Sequence, residues 1–273
     1  MMMQQQTIVL RDGRKLGYAV YGDPTGEPLL LLHGTPGSRI WFLQDDPIAH
    51  KLGVFLIAPD RPGFGLSDQK ADRDFIDYAS DIAQLADHLQ LERFSVLGVS
   101  GGGAFAAAVS HELPHRVKHC ILVSTATPFH NGKPPKDMSK DNRLAFFLSK
   151  HLPFVIKFIN NAQRKILETN PGKYKAALKQ GGKHLPDWDN AFLQDDDILE
   201  ATVMQNREAY RQGVDGALYE SKLMTIDWGF QFQNISVPIH VWHGESDTLS
   251  PISEMKAIVQ HLPNVKTHFI DRK

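Results

Sequence analysis

Short apolar runs alternate with segments of helical periodicity along the first part of this sequence. Four strand-sized segments are mostly apolar, which indicates buried strands, and the first is a continuous apolar run: 28–34, 53–60, 93–100 and 117–125. Residues 75–90 and 102–113 lie between them and repeat apolar or small positions at helical spacing. Ahead of these runs, residues 7–10 and 15–22 flank a Gly-containing turn and predict a hairpin. Strands that alternate with helices predict an α/β fold with a mostly parallel sheet covered on both faces.

The alternation stops in the middle of the chain. From Pro128 to about Thr225 the sequence has no run typical of a buried strand, but several helix-like stretches separated by Pro, Gly and polar residues. Strand-like patterns return at 237–247 and 265–271. About a hundred helical residues between two strands of one sheet predict an inserted cap. The predicted division has three parts: core residues 1–127, a helical cap at 128–226 and core residues 227–273.

Composition narrows the function classes. Hydrophobic residues make up 42% and charged residues 22%, and the formal net charge is −1, so the chain can bury a core and has no basic tract for nucleic acid. No apolar run approaches the roughly 20 residues of a membrane helix, and the N-terminus lacks a signal-peptide pattern. Cys120 is the single cysteine, which fits a reducing compartment. We expect a cytoplasmic protein with no nucleic-acid or membrane partner. The sequence leaves the oligomeric state open.

The sequence Gly98-Val-Ser-Gly-Gly102 follows a predicted buried strand and precedes a helix rich in small residues. This is the setting that a nucleophile elbow requires, because Ser100 would occupy a strained turn that only small neighbours permit. The alternative is a glycine-rich turn with a solvated serine. In the elbow interpretation, the N–H of Gly101 would stabilise negative charge on a substrate oxygen.

The chain resembles the α/β-hydrolase superfamily over nearly its whole length. The N-terminal hairpin, "LLHGTPGSR", "PDRPGFGLSD", "VLGVSGGG", a helical insertion and "VWHGESDTLSP" follow that family's order. The resemblance implies that Ser100 is the nucleophile and that the backbone of Thr35 is the second oxyanion donor. His33 is a candidate catalytic base, but we favour a structural residue that closes a buried strand and braces this loop by hydrogen bonds. Gly34 is then a residue that shapes the loop. Asp60 is more typical of a turn-stabilising residue than of a catalytic acid.

The same resemblance assigns the acid that orients a catalytic base to Asp247, in "HGESD" after a predicted strand. Glu245 is then a more exposed neighbour, and His243 a structural residue like His33. The alternative for Asp247 is a side chain that binds its own loop backbone.

A general base is harder to find. His268 lies in the middle of a predicted strand, about 7 Å below the rim at a rise of about 3.3 Å per residue. In the resembled family the histidine lies in the loop after this strand, and the sequence ends where that loop begins. We therefore expect the base to be absent, together with the family's final helix. Two explanations stay open, a shortened enzyme and a natural pseudoenzyme, and we favour the first.

The predicted activity is hydrolysis of a small carboxylic ester or related acyl substrate. Haloalkane dehalogenases and epoxide hydrolases resemble the chain near "HGTPG" but attack with Asp at the elbow, where this chain has Ser. Apolar cap residues suit an apolar acyl or alcohol group, or hold cap helices on the core: Phe146, Phe147, Phe154, Ile156, Phe158 and Ile159. The alternatives are a ligand-binding protein, acting as a sensor or a lyase, and an interaction scaffold. No metal-ligand spacing or cofactor motif is present, so we expect neither a metal nor a cofactor.

Overall fold

One mixed sheet organises the computed structural model, which describes residues 5–129, 132–182, 185 and 187–271. In the described chain the sheet has eight strands: β1 (Gln5–Val9), β2 (Lys15–Gly22), β3 (Glu27–Leu32), β4 (Val54–Pro59), β5 (Phe94–Val99), β6 (Val117–Val123), β7 (Ile239–Gly244) and β8 (Val265–Ile270). Their order across the sheet is β1-β2-β4-β3-β5-β6-β7-β8. The first two strands run antiparallel to their neighbours and all other pairs are parallel. The predicted fold class, including the N-terminal hairpin, is confirmed.

Helices cover the sheet and form the insertion: α1 (Asp46–Lys51), α2 (Asp77–His88), α3 (Gly101–Glu112), α4 (Lys140–His151), α5 (Pro153–Thr169), α6 (Pro171–Gly182), α7 (Asp187–Phe192), α8 (Asp196–Ala209), α9 (Asp215–Leu223) and α10 (Ile252–Val259). Helix α3 lies at the centre of the main core, where almost all of its residues are buried against β5 and β6. Its run of Gly and Ala lets the helix approach the sheet closely, and Phe105 fills the remaining space beside Phe75 and Tyr78.

The second face of the sheet is covered by α1 and a 3₁₀ segment, Arg39–Asp45, which pack on β2, β3 and β4. Towards the β8 edge this face is more open. Trp242 of β7 stacks on His268 of β8 with ring centroids 3.9 Å apart, and its side chain remains 42% exposed.

Helices α4 to α9 all lie between β6 and β7 in the chain. No strand occurs among the described residues of this insertion, as the break in hydrophobic pattern predicts. The boundaries of the cap at 128 and 226 stay predictions. Parallel strands end at one edge of the sheet, so the turns after β3, β5, β6 and β7 meet there.

Candidate active site

The turn between β5 and α3 places Ser100 in a conformation that side chains rarely adopt. Its backbone has φ 52° and ψ −123°, directly after the strand and before Gly101, the first helical residue. Hydrogen bonds hold this geometry: the Ser100 N–H donates to the Val123 carbonyl at 2.9 Å, and its carbonyl accepts from the N–H of Ala126 at 3.1 Å. Strain of about 1–3 kcal/mol persists only where the surroundings fix it, and such turns cluster at functional sites.

Two glycines let the elbow form. A Cβ on Gly98 would lie 2.6 Å from the Gly102 carbonyl carbon, and one on Gly102 would lie 2.8 Å from the carbonyl carbon of Leu32. Ordinary contacts of a Cβ begin at 3.4 Å. Any side chain at either position would therefore push α3 away from the sheet and displace Ser100.

The loop after β3 lies against this elbow. A Cβ added to Gly34 would lie 3.5 Å from the Cβ of Ser100, and one added to Gly101 would lie 2.6 Å from Thr35 Oγ1. Thr35, Ser100 and Gly101 line one cavity of about 340 Å³. Gly101 is also the first residue of α3, so its N–H has no intrahelical partner. The structure thus brings together the predicted nucleophile and both predicted oxyanion residues.

The side-chain hydroxyl of Thr35 is hydrogen-bonded within the protein, to Glu220 and Arg61. It donates its proton to Glu220 Oε2 at 2.7 Å and accepts from Arg61 Nη2 at 3.0 Å. Burial alone would raise the pKa of Glu220, but the positive charge and hydrogen bonds of Arg61 lower it to about 2, so the carboxylate is ionised. A hydroxyl has one proton to donate, so Thr35 can offer a substrate oxygen only its backbone N–H.

Arg61 and Glu220 are functional candidates that our sequence analysis missed. Arg61 lies in the loop after β4, and Glu220 lies on α9; both are fully buried. Their ion pair has two hydrogen bonds of 2.7 Å, and Arg73 approaches the same carboxylate at 3.4 Å. A signal for Glu220 was present, because it shares the buried face of α9 with Ala217 and Leu223 at helical spacing. A charge at a core position indicates a buried partner.

His33 braces the oxyanion loop from beneath. It is fully buried; Nδ1 contacts the Gly34 carbonyl oxygen at 2.8 Å, and Nε2 accepts from the N–H of Arg61 at 3.4 Å. Burial, assisted by the charge of Arg61, holds the pKa of His33 well below its usual value. With both ring nitrogens engaged, His33 is not available as a general base.

Asp60 supports the adjacent loop. Its carboxylate accepts hydrogen bonds from the N–H groups of Arg39 and Leu66, at 2.6 and 2.9 Å, and pairs with the Arg39 guanidinium at 2.8 Å. Burial raises its pKa despite the charge of Arg39. The carboxylate is saturated by local partners, a geometry that agrees with turn stabilisation.

Asp247 lies in the loop after β7. Its Oδ1 accepts from the N–H groups of Leu249 and Ser250, both at 2.8 Å, and Oδ2 lies 3.5 Å from His243 Nε2. The carboxylate therefore binds its own loop, as the alternative interpretation proposes, while it also lines a second cavity of about 650 Å³. Leu249 lines both this cavity and the one that contains Ser100.

The neighbours of Asp247 have separate partners. Glu245 pairs with Lys256 at 2.9 Å, and His243 Nε2 donates to the carbonyl oxygen of Ser250 at 2.6 Å. Asp189 of α7 lines the cavity of Asp247, and burial together with the negative charge of Asp247 raises the pKa of Asp189.

No described histidine lines the cavity of Ser100. His268 lies in the middle of β8, as its position in the sequence predicts, and its ring stacks on Trp242. His130 and His184 lie outside the described residues. The described part of the chain also contains no cluster of His, Cys, Asp or Glu suited to a metal ion, and no candidate for a membrane-spanning helix.

The Ser100 cavity lies between α3, α4 and α9 and has largely apolar walls. Its cap side is formed mainly by these side chains: Phe129, Pro135, Met138, Ala145, Phe146 and Met224. Asn142 and Ser149 of α4 and Ser221 of α9 add polar groups.

Our two interpretations of the six apolar cap residues, as a substrate-binding wall or as packing on the core, are wrong for most of them. Phe146 lines the cavity and Ile156 is buried, but Phe147, Phe154 and Phe158 are 53%, 69% and 76% exposed. Ile159 is 38% exposed. None of these four exposed side chains lines the Ser100 cavity.

Comparisons of the sequence and the fold with known proteins show to which family the chain belongs. A family model described as alpha/beta hydrolase fold matches residues 27–272. Lipase 3 of Moraxella sp. (strain TA144) is 35% identical over 139 residues, which cover 48% of this chain and 42% of the lipase. A poly(3-hydroxyalkanoate) depolymerase of Ectopseudomonas oleovorans is 24% identical over 92% of this chain and 78% of its own length.

Solved structures agree with the fold. A thermophilic esterase from Thermogutta terrifontis superimposes with a TM-score of 0.66 at 23% identity, over 98% of this chain and 90% of the esterase. The matches to the first curated relatives, by contrast, span less than half the length of those proteins. Because the family model covers nearly the whole sequence and the elbow lies where such a fold requires it, the chain belongs to the alpha/beta hydrolase family.

Proposed function

We propose that this protein is a serine hydrolase that acts on small carboxylic esters or related acyl substrates. The observation that carries the proposal is the strained Ser100, which shares one cavity with Thr35 and Gly101. The relatives named lipase, depolymerase and esterase support the same reaction class.

In the proposed reaction, Ser100 Oγ forms a bond to the carbonyl carbon of the ester while its proton passes to a base. The carbonyl electron pair moves onto oxygen, where the backbone N–H groups of Gly101 and Thr35 stabilise it. Each such donor is worth about 2.7–4 kcal/mol in the transition state. The alcohol then leaves with a proton, and water hydrolyses the acyl-enzyme by the same steps.

Asp247 is the proposed partner of the base. The cavity that Asp247 lines shares Leu249 with the cavity of Ser100. At about 650 Å³, this second cavity is large enough for an imidazole ring beside the Asp247 carboxylate. Since no described histidine lines the Ser100 cavity, free imidazole in solution is a suitable substitute in an assay.

The walls of the cavity support an apolar acyl group of modest size. A volume of about 340 Å³ lies at the lower end of the range for small-molecule sites, roughly 300–1,000 Å³. Phe146 and Met224 bound it on the cap side.

A second candidate is a protein that binds a small ligand under its cap with little or no turnover. The observation that favours it is the state of Asp247, whose Oδ1 already accepts two backbone hydrogen bonds. A carboxylate satisfied in this way has less capacity to orient a histidine.

The experiment measures hydrolysis of a short-chain chromogenic ester, with and without imidazole. The variants are Ser100→Ala and Ser221→Ala, the latter removing a different hydroxyl from the same cavity. Turnover that imidazole accelerates, and that only Ser100→Ala abolishes, is expected for the serine hydrolase. Thermal stabilisation by the ester without turnover would favour the second candidate.

A further inference from the structure

A buried ion pair connects the end of the cap insertion to the proposed oxyanion loop. Arg61 donates to the carbonyl oxygens of both His33 and Gly34, and to the hydroxyl of Thr35. Glu220 holds the same hydroxyl from the other side and neutralises the guanidinium through two hydrogen bonds. Three consecutive loop residues are thus bonded to one pair of side chains from distant parts of the chain.

The free-energy cost of burying charges bears on the role of this ion pair. Removing two charges from water carries a penalty that an ion pair offsets only with good geometry, and well-packed apolar residues in place of a buried ion pair are often equally stabilising. The ion pair differs from an apolar pair in that its hydrogen bonds are directional. A planar guanidinium and a carboxylate fix the positions of their partners more tightly than apolar contacts do.

Helix α9 contacts both the oxyanion loop and the cavity of Ser100. Glu220 binds the loop, whereas Ser221 and Met224, the residue directly after the helix, line the cavity. The Met224 methyl also lies 3.4 Å from the Cβ position of Gly101, the other proposed oxyanion residue. The position of α9 therefore affects both the cavity wall and the loop.

We propose that Glu220 is a positioning residue that, through Arg61 and Thr35, holds the backbone N–H of Thr35 against the elbow and couples the oxyanion site to the cap. Its catalytic consequence rests on the proposed hydrolase function. Its mechanical consequence, an ordered loop at 33–37, does not.

The test compares Glu220→Gln with Asp81→Asn. Asp81 is a matched control because it is also buried and pairs through two hydrogen bonds with an arginine, Arg14, at 2.7 and 3.0 Å. Asp81 lies on α2 and does not line the Ser100 cavity. Thr35→Val removes the hydroxyl link while the buried charges stay. The readouts are amide hydrogen exchange of His33, Gly34 and Gly37 in the loop and, for the ester reaction with imidazole, kcat and KM separately.

We expect Glu220→Gln to speed exchange of the loop amides at least tenfold and to lower kcat about tenfold with KM within twofold. Thr35→Val should change both in the same direction but less, and Asp81→Asn should change neither, even at an equal loss of Tm. Exchange of these amides in Glu220→Gln that equals the control would overturn the proposal. A wild-type protein without turnover would refute the hydrolase function, while the exchange data would still decide whether Glu220 positions the loop.

Discussion

Replacing Gly98 by Ala tests whether close approach of α3 to the sheet holds the elbow. The new Cβ would lie 2.6 Å from both the Gly102 carbonyl carbon and the Gly103 Cα, about 0.8 Å short of ordinary contact. These are backbone atoms of a helix whose residues are almost all buried, so no side-chain rotation relieves the overlap. Overpacking of this kind costs about 1–3 kcal/mol, and we expect the upper end of that range here.

Urea denaturation followed by tryptophan fluorescence measures this loss as a change in the unfolding free energy. Gly181→Ala in α6 is the control, because its Cβ would meet nothing within 4 Å and alanine favours a helix by up to about 1 kcal/mol. Gly98→Ala should destabilise by about 2–3 kcal/mol while Gly181→Ala is neutral or stabilising. A Gly98→Ala protein within about 0.5 kcal/mol of wild type would refute the argument from close approach.

The remaining predictions concern single side chains. Cys120 is buried and burial raises its pKa to about 12, so a disulfide reagent such as DTNB should leave it unmodified in the native protein and react on unfolding; rapid native reaction would contradict its burial. The pKa of His33 is lowered in the folded state, so the unfolded chain gains a proton below about pH 6.5 that the folded chain does not. Stability should therefore fall by up to about 1.4 kcal/mol per pH unit as the pH drops from about 6.5, and His33→Gln should flatten that slope in denaturation curves at several pH values; an unchanged slope would count against a neutral His33. Phe158→Ser should leave the unfolding free energy within about 0.5 kcal/mol of wild type, because the ring is largely exposed; a loss above 2 kcal/mol would show a packing role.

The elements that the sequence predicts well are those with a local cause. Mostly apolar, strand-sized segments identify β3 to β6, because parallel strands in the middle of a sheet are buried on both faces. The elbow is visible because its requirement for small residues falls within five consecutive positions, Gly98 to Gly102. Position within a strand also predicts that His268 lies below the rim.

The features that the sequence analysis missed depend on contacts between distant positions. Glu220 lies 185 residues from Thr35 and 159 from Arg61, and nothing near Glu220 in the sequence indicates either partner. The interpretation of the apolar cap residues was wrong for a related reason. Apolar spacing on α4 and α5 does not identify the face that is buried. Phe146 and Ile156 are on the inward side, whereas Phe147 and Phe158 are exposed.

The central claim is that Ser100 is a nucleophile beside a preformed oxyanion site, and covalent labelling tests it most directly. The protein is incubated with a fluorophosphonate, with and without imidazole, and the modified residue is identified by peptide mass spectrometry. The account predicts one adduct, on Ser100, that forms faster when imidazole is present and is absent from Ser100→Ala. An intact Ser100 after prolonged exposure, or an adduct distributed over several surface hydroxyls, would contradict it.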